Sequence, residues 1–230
     1  MKIWGLIPAA GAGERMGAKK PKQFLDIDGV PVIARSLKAL FDSGMIEGIV
    51  VPTKAEYMAE LEDIIKHFLP PDARVEIVKG GATRQDSVYN GLVAIERVGA
   101  ELVVIHDAAR PFVTPEIIRE AIRDAADAGA AAVGIPATDT TVITDGSFIV
   151  EYLPRDRLAR VQTPQVFLYD IIKSAHEKAR DEGYAGALDD SELVVRSGHP
   201  VRVLMGSPSN VKITYPSDIA RAKMLNEQKG

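Results

Sequence analysis

Four basic residues, Arg15, Lys19, Lys20 and Lys22, fall within eight positions of a loop that reads PAAGAGERMGAKKPKQ over residues 8–23. Gly11 and Gly13 allow backbone to approach a ligand closely, and Arg15 and Lys22 are placed to meet negative charge, so phosphate chemistry is the natural use of the stretch. Two familiar phosphate loops fail. A dinucleotide loop needs a third glycine where Met16 stands, and no acid ends the second strand, which reads Val50-Val51-Pro52. A Walker loop counted from Gly11 or Gly13 meets Met16 or Ala18 where its second glycine belongs. Taken alone, the glycine pair is equally a tight turn flanked by solvated lysines.

Composition narrows the setting. The 230 residues, 46% hydrophobic, suffice for one large domain over 1–230. A net charge of -4 argues against a broad nucleic-acid face. Without cysteine there are no disulfides, thiolate nucleophiles or cysteine zinc sites, and His67, His106, His176 and His199 lack metal-ligand spacing. No apolar stretch has the length of a membrane span. The start, MKIWGLIPAAGA, imitates a secretion signal, but Gly5 and Pro8 break its short run, so it reads as a buried strand and the expectation is a cytoplasmic protein.

The elements that must position the loop follow from periodicity. Ile3 to Ile7 is an apolar run suited to a strand covered on both faces. A helix is expected from about Val32 to Phe41, a strand in EGIVVP, a helix from about Ala55 to Phe68 and a strand in RVEIVKGG. A helix marked by Val88, Leu92 and Ile95, the strand LVVIHD, a helix after Pro115 and the strand AAVGIP continue the rhythm. Such alternation predicts an α/β fold, a Rossmann-like, mostly parallel twisted sheet flanked by helices. The phosphate loop then lies beyond the carboxyl end of the first strand, where open parallel sheets bind ligands. Between about 138 and 162 the rhythm breaks. TVITDGSFIVEYLPR reads as a β-hairpin with a type I′ turn at Asp145-Gly146, either an edge to the sheet or an arm that packs on a second subunit. Helices near 168–182 and 216–227 flank the expected strands RVLMG and NVKIT.

With the loop stand PKQF at 21–24, GGATRQDSV at 80–88, HDAARPF at 106–112, TPQVF at 163–167 and NVKIT at 210–214. In this order the segments resemble the 2-C-methyl-D-erythritol 4-phosphate cytidylyltransferase family of the isoprenoid precursor pathway, from about residue 3 to residue 226. The resemblance implies a nucleotidyltransferase that joins CTP to the sugar phosphate and releases pyrophosphate. It implies catalytic roles for Arg15, Lys22, Arg155 and Lys212. It implies a nucleotide site of Pro8, Ala9, Ala10, Gly11, Gly13, Gly80, Gly81, Ser87, Asp107 and Ala108, with the backbone of Ala9 and Ala10 reading the base edge. Thr138, Asp139, Thr140, Arg155 and Lys212 would hold the sugar phosphate, Arg155 being chosen among three arginines because it stands eight residues before Thr163. Asp107 ends a strand among phosphates, where a carboxylate calls for a cation, so Mg²⁺ is expected there. The family's arm reaches into the neighbouring subunit, which implies a homodimer with an interfacial site.

Other residues carry weaker expectations. Lys19 and Lys20 read as a solvated, CTP-attracting surface, and His106 as packing. Arg84 and Asp86 read as a structural pair or as ligand contacts, and Arg110 as a partner of Asp107 or a brace for its loop. Leu188-Asp189-Asp190-Ser191-Glu192 departs from the family's Thr-Asp-Asp/Glu-Ala-Ser segment, and Ser209 stands where some relatives carry an acid. A cytidylyltransferase for another polyol phosphate, such as ribitol 5-phosphate, and a non-catalytic nucleotide-binding protein are the competing readings.

Overall fold

A computed structural model describes residues 1–11, 16–17 and 20–227. Strand β1 (Ile3–Leu6) is buried throughout, as an apolar run between two helical layers must be. A 3₁₀ turn (Lys22–Phe24) leads to a small hairpin, β2 (Asp26–Ile27) and β3 (Val30–Pro31). Then come α1 (Val32–Asp42), β4 (Gly48–Thr53), α2 (Met58–Phe68), β5 (Val75–Lys79), α3 (Arg84–Glu96), β6 (Leu102–Ile105), α4 (Pro115–Ala128) and β7 (Ala130–Pro136), the alternation that periodicity predicts. Their ends carry local signals. Thr83 accepts from Asp86 N–H while the Asp86 carboxylate accepts from Thr83 N–H, a capping box that starts α3; Thr114 caps α4 ahead of Pro115.

The remainder of the chain supplies β8 (Val142–Asp145), β9 (Phe148–Tyr152), β10 (Ala159–Leu168), α5 (Tyr169–Asp181), α6 (Asp190–Arg196), β11 (Arg202–Met205) and α7 (Pro216–Glu227). Among the described residues seven strands form one sheet in the order β11-β7-β10-β6-β1-β4-β5. Within it β10 runs against its neighbours, pairing antiparallel with β6 and with β7. Alternate residues of β1 and β6 face opposite layers. Ile3, Leu102 and Val104 pack with α1, α2 and α4, whereas Trp4, Leu6, Val103 and Ile105 pack with α3, α5 and α6. The chain builds outward from β1 through β4 to β5, then returns to the other side of β1 with β6. That reversal opens a crevice beyond the carboxyl ends of β1 and β6.

Two local expectations are corrected and two elements are added. The type I′ turn lies at Asp28 and Gly29, with φ of 51° and 81°, whereas in the β8–β9 hairpin φ is positive at Gly146 (62°) and not at Asp145. Asp145 pairs with Phe148, which makes Gly146 the first central residue, the place a type II′ turn gives to glycine. Strand β10 has no counterpart in the sequence reading, and it carries Pro164, a residue that disfavours a central strand. The structure accommodates it at a register shift between Val161 and Gln165. NVKIT is no strand: Ile213 is buried and its N–H donates to Ala109 O at 2.8 Å, but 211–214 joins no sheet. Helix α6 was unexpected too, although Asp189 caps it by accepting from Glu192 N–H.

Candidate active site

The loops after β1 and β6 meet at the crevice with the 3₁₀ turn, the start of α3 and the segment before α7. Together they enclose a cleft of about 720 Å³. Pro8, Ala10 and Gly11 come from the first loop, Lys22 from the 3₁₀ turn, Gly81, Arg84 and Ser87 from the approach to α3, Asp107 and Ala108 from the end of β6, and Lys212 from the last segment. Lys22, Asp107 and Lys212 are thus brought to one cavity. Gly13, Arg15 and Lys19 lie outside the described residues.

Asp107 is the electrostatic centre. Its Oδ2 lies 2.8 Å from Lys212 Nζ and 3.3 Å from Arg110 Nε, and its Oδ1 is 3.8 Å from Arg84 Nε. Burial works against its charge, but Lys212, Arg84 and Arg110 prevail and hold the carboxyl well below the usual carboxylate range. The Asp107 N–H donates to Thr163 Oγ1 at 3.0 Å, and that hydroxyl lies 3.0 Å from His106 Nδ1. His106 Nε2 faces Arg110 O at 3.1 Å. An imidazole that donates from Nε2 and accepts at Nδ1 satisfies every group in this chain. Burial lowers the pKa of His106 to about 4, which keeps it neutral. His106 is therefore a hydrogen-bonding strut beneath Asp107 rather than inert packing. Asn210 completes the floor, its side-chain amide donating to Thr163 O at 2.8 Å while its main-chain carbonyl accepts from Arg110 Nη1 at 2.8 Å.

Arg110 does pair with Asp107, as one of its two readings required. Arg84 does not pair with Asp86. It reaches Asp190 with Nη2 at 2.7 Å, whereas Asp86 serves the α3 cap and Arg180. Burial disfavours the charge of Asp190, yet Arg84 and His176 keep its carboxyl below the ordinary range.

The nucleotide wall differs in part from the sequence reading. Ala9 stands behind it: its N–H donates to Pro52 O at 2.8 Å and its carbonyl accepts from Gln23 Nε2 at 2.6 Å, so only Ala10 of the pair faces the cleft. Gly80 is required for close approach. A Cβ there would stand 2.5 Å from Ala10 Cβ, and one at Gly81 would stand 2.2 Å from Asp86 Cβ. The Ser87 hydroxyl is engaged, donating to Thr83 O at 2.8 Å and accepting from Gly81 N–H at 3.0 Å. Lys20 is exposed, as the sequence reading has it, and pairs with Glu60 of α2. Lys54, which has no role in the sequence reading, lines the cleft just past β4; its place at the carboxyl end of a strand beside β1 was the available signal.

Thr138, Asp139, Thr140 and Arg155 are exposed and do not line this cleft. Arg155 Nη1 donates to Thr138 O at 3.3 Å, so these residues gather at the root of the hairpin. Strands β8 and β9 pair with each other in a sheet of their own, and Phe148 and Tyr152 are 78% and 68% exposed. Among the described residues no group of three or more His, Cys, Asp or Glu is placed to hold a metal, and no helix is long and apolar enough to cross a membrane.

Both sequence and fold are shared with known proteins. A family model described as 2-C-methyl-D-erythritol 4-phosphate cytidylyltransferase matches residues 3–228. The chain is 40% identical over 232 residues to the protein of that name from Geobacter metallireducens, covering 100% of this chain and 99% of the relative. It is 41% identical to that from Caldanaerobacter subterraneus subsp. tengcongensis, covering 98% and 99%. In structure it resembles 4-diphosphocytidyl-2C-methyl-D-erythritol synthase from Anaerococcus prevotii, with a TM-score of 0.85 at 28% identity over 98% of each chain. The cytidylyltransferase from Thermus thermophilus gives a TM-score of 0.79 at 32% identity, covering 99% of this chain and 100% of that one. A match of this extent, on a cleft that gathers Lys22, Asp107 and Lys212 at the switch point of the sheet, makes the chain a member of the 2-C-methyl-D-erythritol 4-phosphate cytidylyltransferase family.

Proposed function

We infer that the chain joins CTP and 2-C-methyl-D-erythritol 4-phosphate to give 4-diphosphocytidyl-2-C-methyl-D-erythritol and pyrophosphate, a step of isoprenoid precursor synthesis. The observation that carries this reading is the convergence of Lys22, Lys212 and Asp107 on one cleft in a chain of this family. An oxygen of the sugar phosphate attacks the α-phosphorus of CTP, the bond to the β-phosphate breaks, and pyrophosphate leaves. The nucleophile is already an anion, so no general base is needed; the obstacle is repulsion between anions, and placement plus positive charge supply the acceleration. Lys22, with Arg15, neutralises the crowded phosphorus centre and the departing pyrophosphate.

Among the described residues Asp107 is the one carboxylate lining the cleft, and it is held ionised, a donor set that suits Mg²⁺ carried in on phosphate oxygens with waters completing its shell. When bound, Mg²⁺ would offset charge on the triphosphate. Lys212 and Arg155 grip the phosphate of the sugar substrate. Arg155 and Thr138 to Thr140 stand apart from their own chain's cleft, and the hairpin beside them presents exposed apolar side chains. Both features support a homodimer in which each arm serves the other subunit's site. CTP is an intracellular nucleotide, which supports a cytoplasmic location. The test is pyrophosphate release from CTP and Mg²⁺ with each sugar phosphate in turn. Release with methylerythritol phosphate is expected. Release only with ribitol 5-phosphate, or tight CTP binding without turnover, would overturn the assignment.

A further inference from the structure

A buried row of polar side chains runs behind the cleft between α3, α5 and α6. At its inner end His176 is fully buried among Ile172, Ala175 and Ala179 of its own helix. Its Nε2 stands 3.1 Å from Asp190 Oδ1, and its Nδ1 is buried with no partner among the described residues. An imidazole that leaves one nitrogen unsatisfied in an apolar layer is a costly filler. Its bond to Asp190 is what offsets that cost. Asp190, 1% exposed, takes His176 on one oxygen and Arg84 Nη2 on the other at 2.7 Å, while its N–H donates to Gln165 Oε1 at 3.2 Å. The carboxylate is thereby fixed at both ends, and it gives Arg84 one orientation. Arg84 is the member of the row that reaches the cleft. Held by Asp190, its Nε stops 3.8 Å from Asp107 Oδ1, beyond hydrogen-bond range, while Oδ2 is occupied by Lys212 and Arg110.

We propose that His176 and Asp190 are positioning residues for the nucleotidyl transfer: they hold Arg84 back from Asp107, so that Asp107 Oδ1 stays open to the cleft. Without that restraint the guanidinium closes on Oδ1 and covers it. The proposal rests on the nucleotidyl transfer inferred above, and the wild-type rate in the same assay tests that reading separately.

The experiment compares His176→Leu with His176→Gln, whose amide nitrogen falls where the imidazole Nε2 stands. For His176→Leu we expect kcat to fall on the order of 10- to 100-fold, the range found when outer partners of metal-site ligands are removed. KM for the sugar phosphate should be unchanged, and His176→Gln should recover most of the rate. The Arg84 Nε–H signal in a proton–nitrogen spectrum should keep its wild-type position in His176→Gln and shift, with slower exchange, in His176→Leu, where Nε–H would gain Asp107 Oδ1 as its acceptor. Should the leucine variant fail to fold, His176→Asn, too short to reach Asp190, takes its place. An unchanged rate, an equal loss in the glutamine variant, an Arg84 signal indifferent to the substitution, or failure of every variant to fold would overturn the proposal.

Discussion

Asp107→Asn keeps the shape of the side chain and removes its charge, and the surrounding geometry sets what that costs. Arg110 is affected most. Its side chain is 11% exposed and loses a carboxylate at 3.3 Å, although Nη1 still donates to Asn210 O at 2.8 Å. Stranding a buried cation costs about 3–5 kcal/mol, and the surviving bond places this case near about 3. Arg84 and Lys212 are 33% and 39% exposed, so solvent screens what they lose and each adds less than about 1 kcal/mol. The sum, about 3–5 kcal/mol at neutral pH, lowers Tm by roughly 6–20 °C for a chain of this size. Thermal melts at pH 7 and at successively lower pH measure it. The Asp107 carboxyl is depressed in the fold relative to its unfolded value of about 3.9. Its stabilisation is therefore complete above about pH 4 and disappears as pH falls from there towards the folded value. The gap between wild type and variant should close in that acid window. Equal midpoints at pH 7, or a gap that does not narrow below pH 4, would show that Asp107 is not the charge on which Arg110 and Lys212 depend.

Three further outcomes are expected. Lys22→Ala should still fold and lose about 10²- to 10³-fold in kcat, the cost of removing a donor that acts in the transition state; steady-state kinetics decide it. Arg155→Lys should raise KM for the sugar phosphate, because an ammonium cannot grip phosphate in two places, whereas Arg157→Lys should leave that KM alone. His106, lowered to about 4 by burial, stays neutral while the unfolded chain takes up a proton near pH 6.5. Stability should therefore fall by about 3 kcal/mol between pH 6.5 and pH 4, and denaturant titrations should find a smaller fall in His106→Gln.

Most of the sheet was legible because its strands are apolar runs and its helices repeat at three and four residues. LVVI at 102–105 and the Val88, Leu92, Ile95 spacing left little choice. What could not be read depended on partners distant in sequence. Pro164 argues against a central strand until a register shift in its pairing with β7 makes room for it. Val211 and Ile213 alternate like a strand, yet only Ile213 N–H finds a backbone acceptor across the fold, at Ala109. Helix α6 did announce itself, in Asp189 three residues before Glu192 and the apolar pair behind it. In the site, the types and places of Lys22, Asp107 and Lys212 could be named from motifs. The work of His106 and the reach of Arg84 could not, since Thr163, Arg110 and Asp190 give them meaning only once folded.

Strand β10 follows β6 and β7 in the chain but lies between them. The two earlier strands must therefore wait, unpaired with one another, until the later one enters. Thr163 arrives on that strand and is the acceptor for the Asp107 backbone. The entry of β10 between those two strands is thus also the event that brings Thr163 to the central carboxylate. Contacts so remote in sequence form slowly, and a nascent polypeptide that ends before residue 159 would carry both earlier strands and still lack a finished catalytic floor.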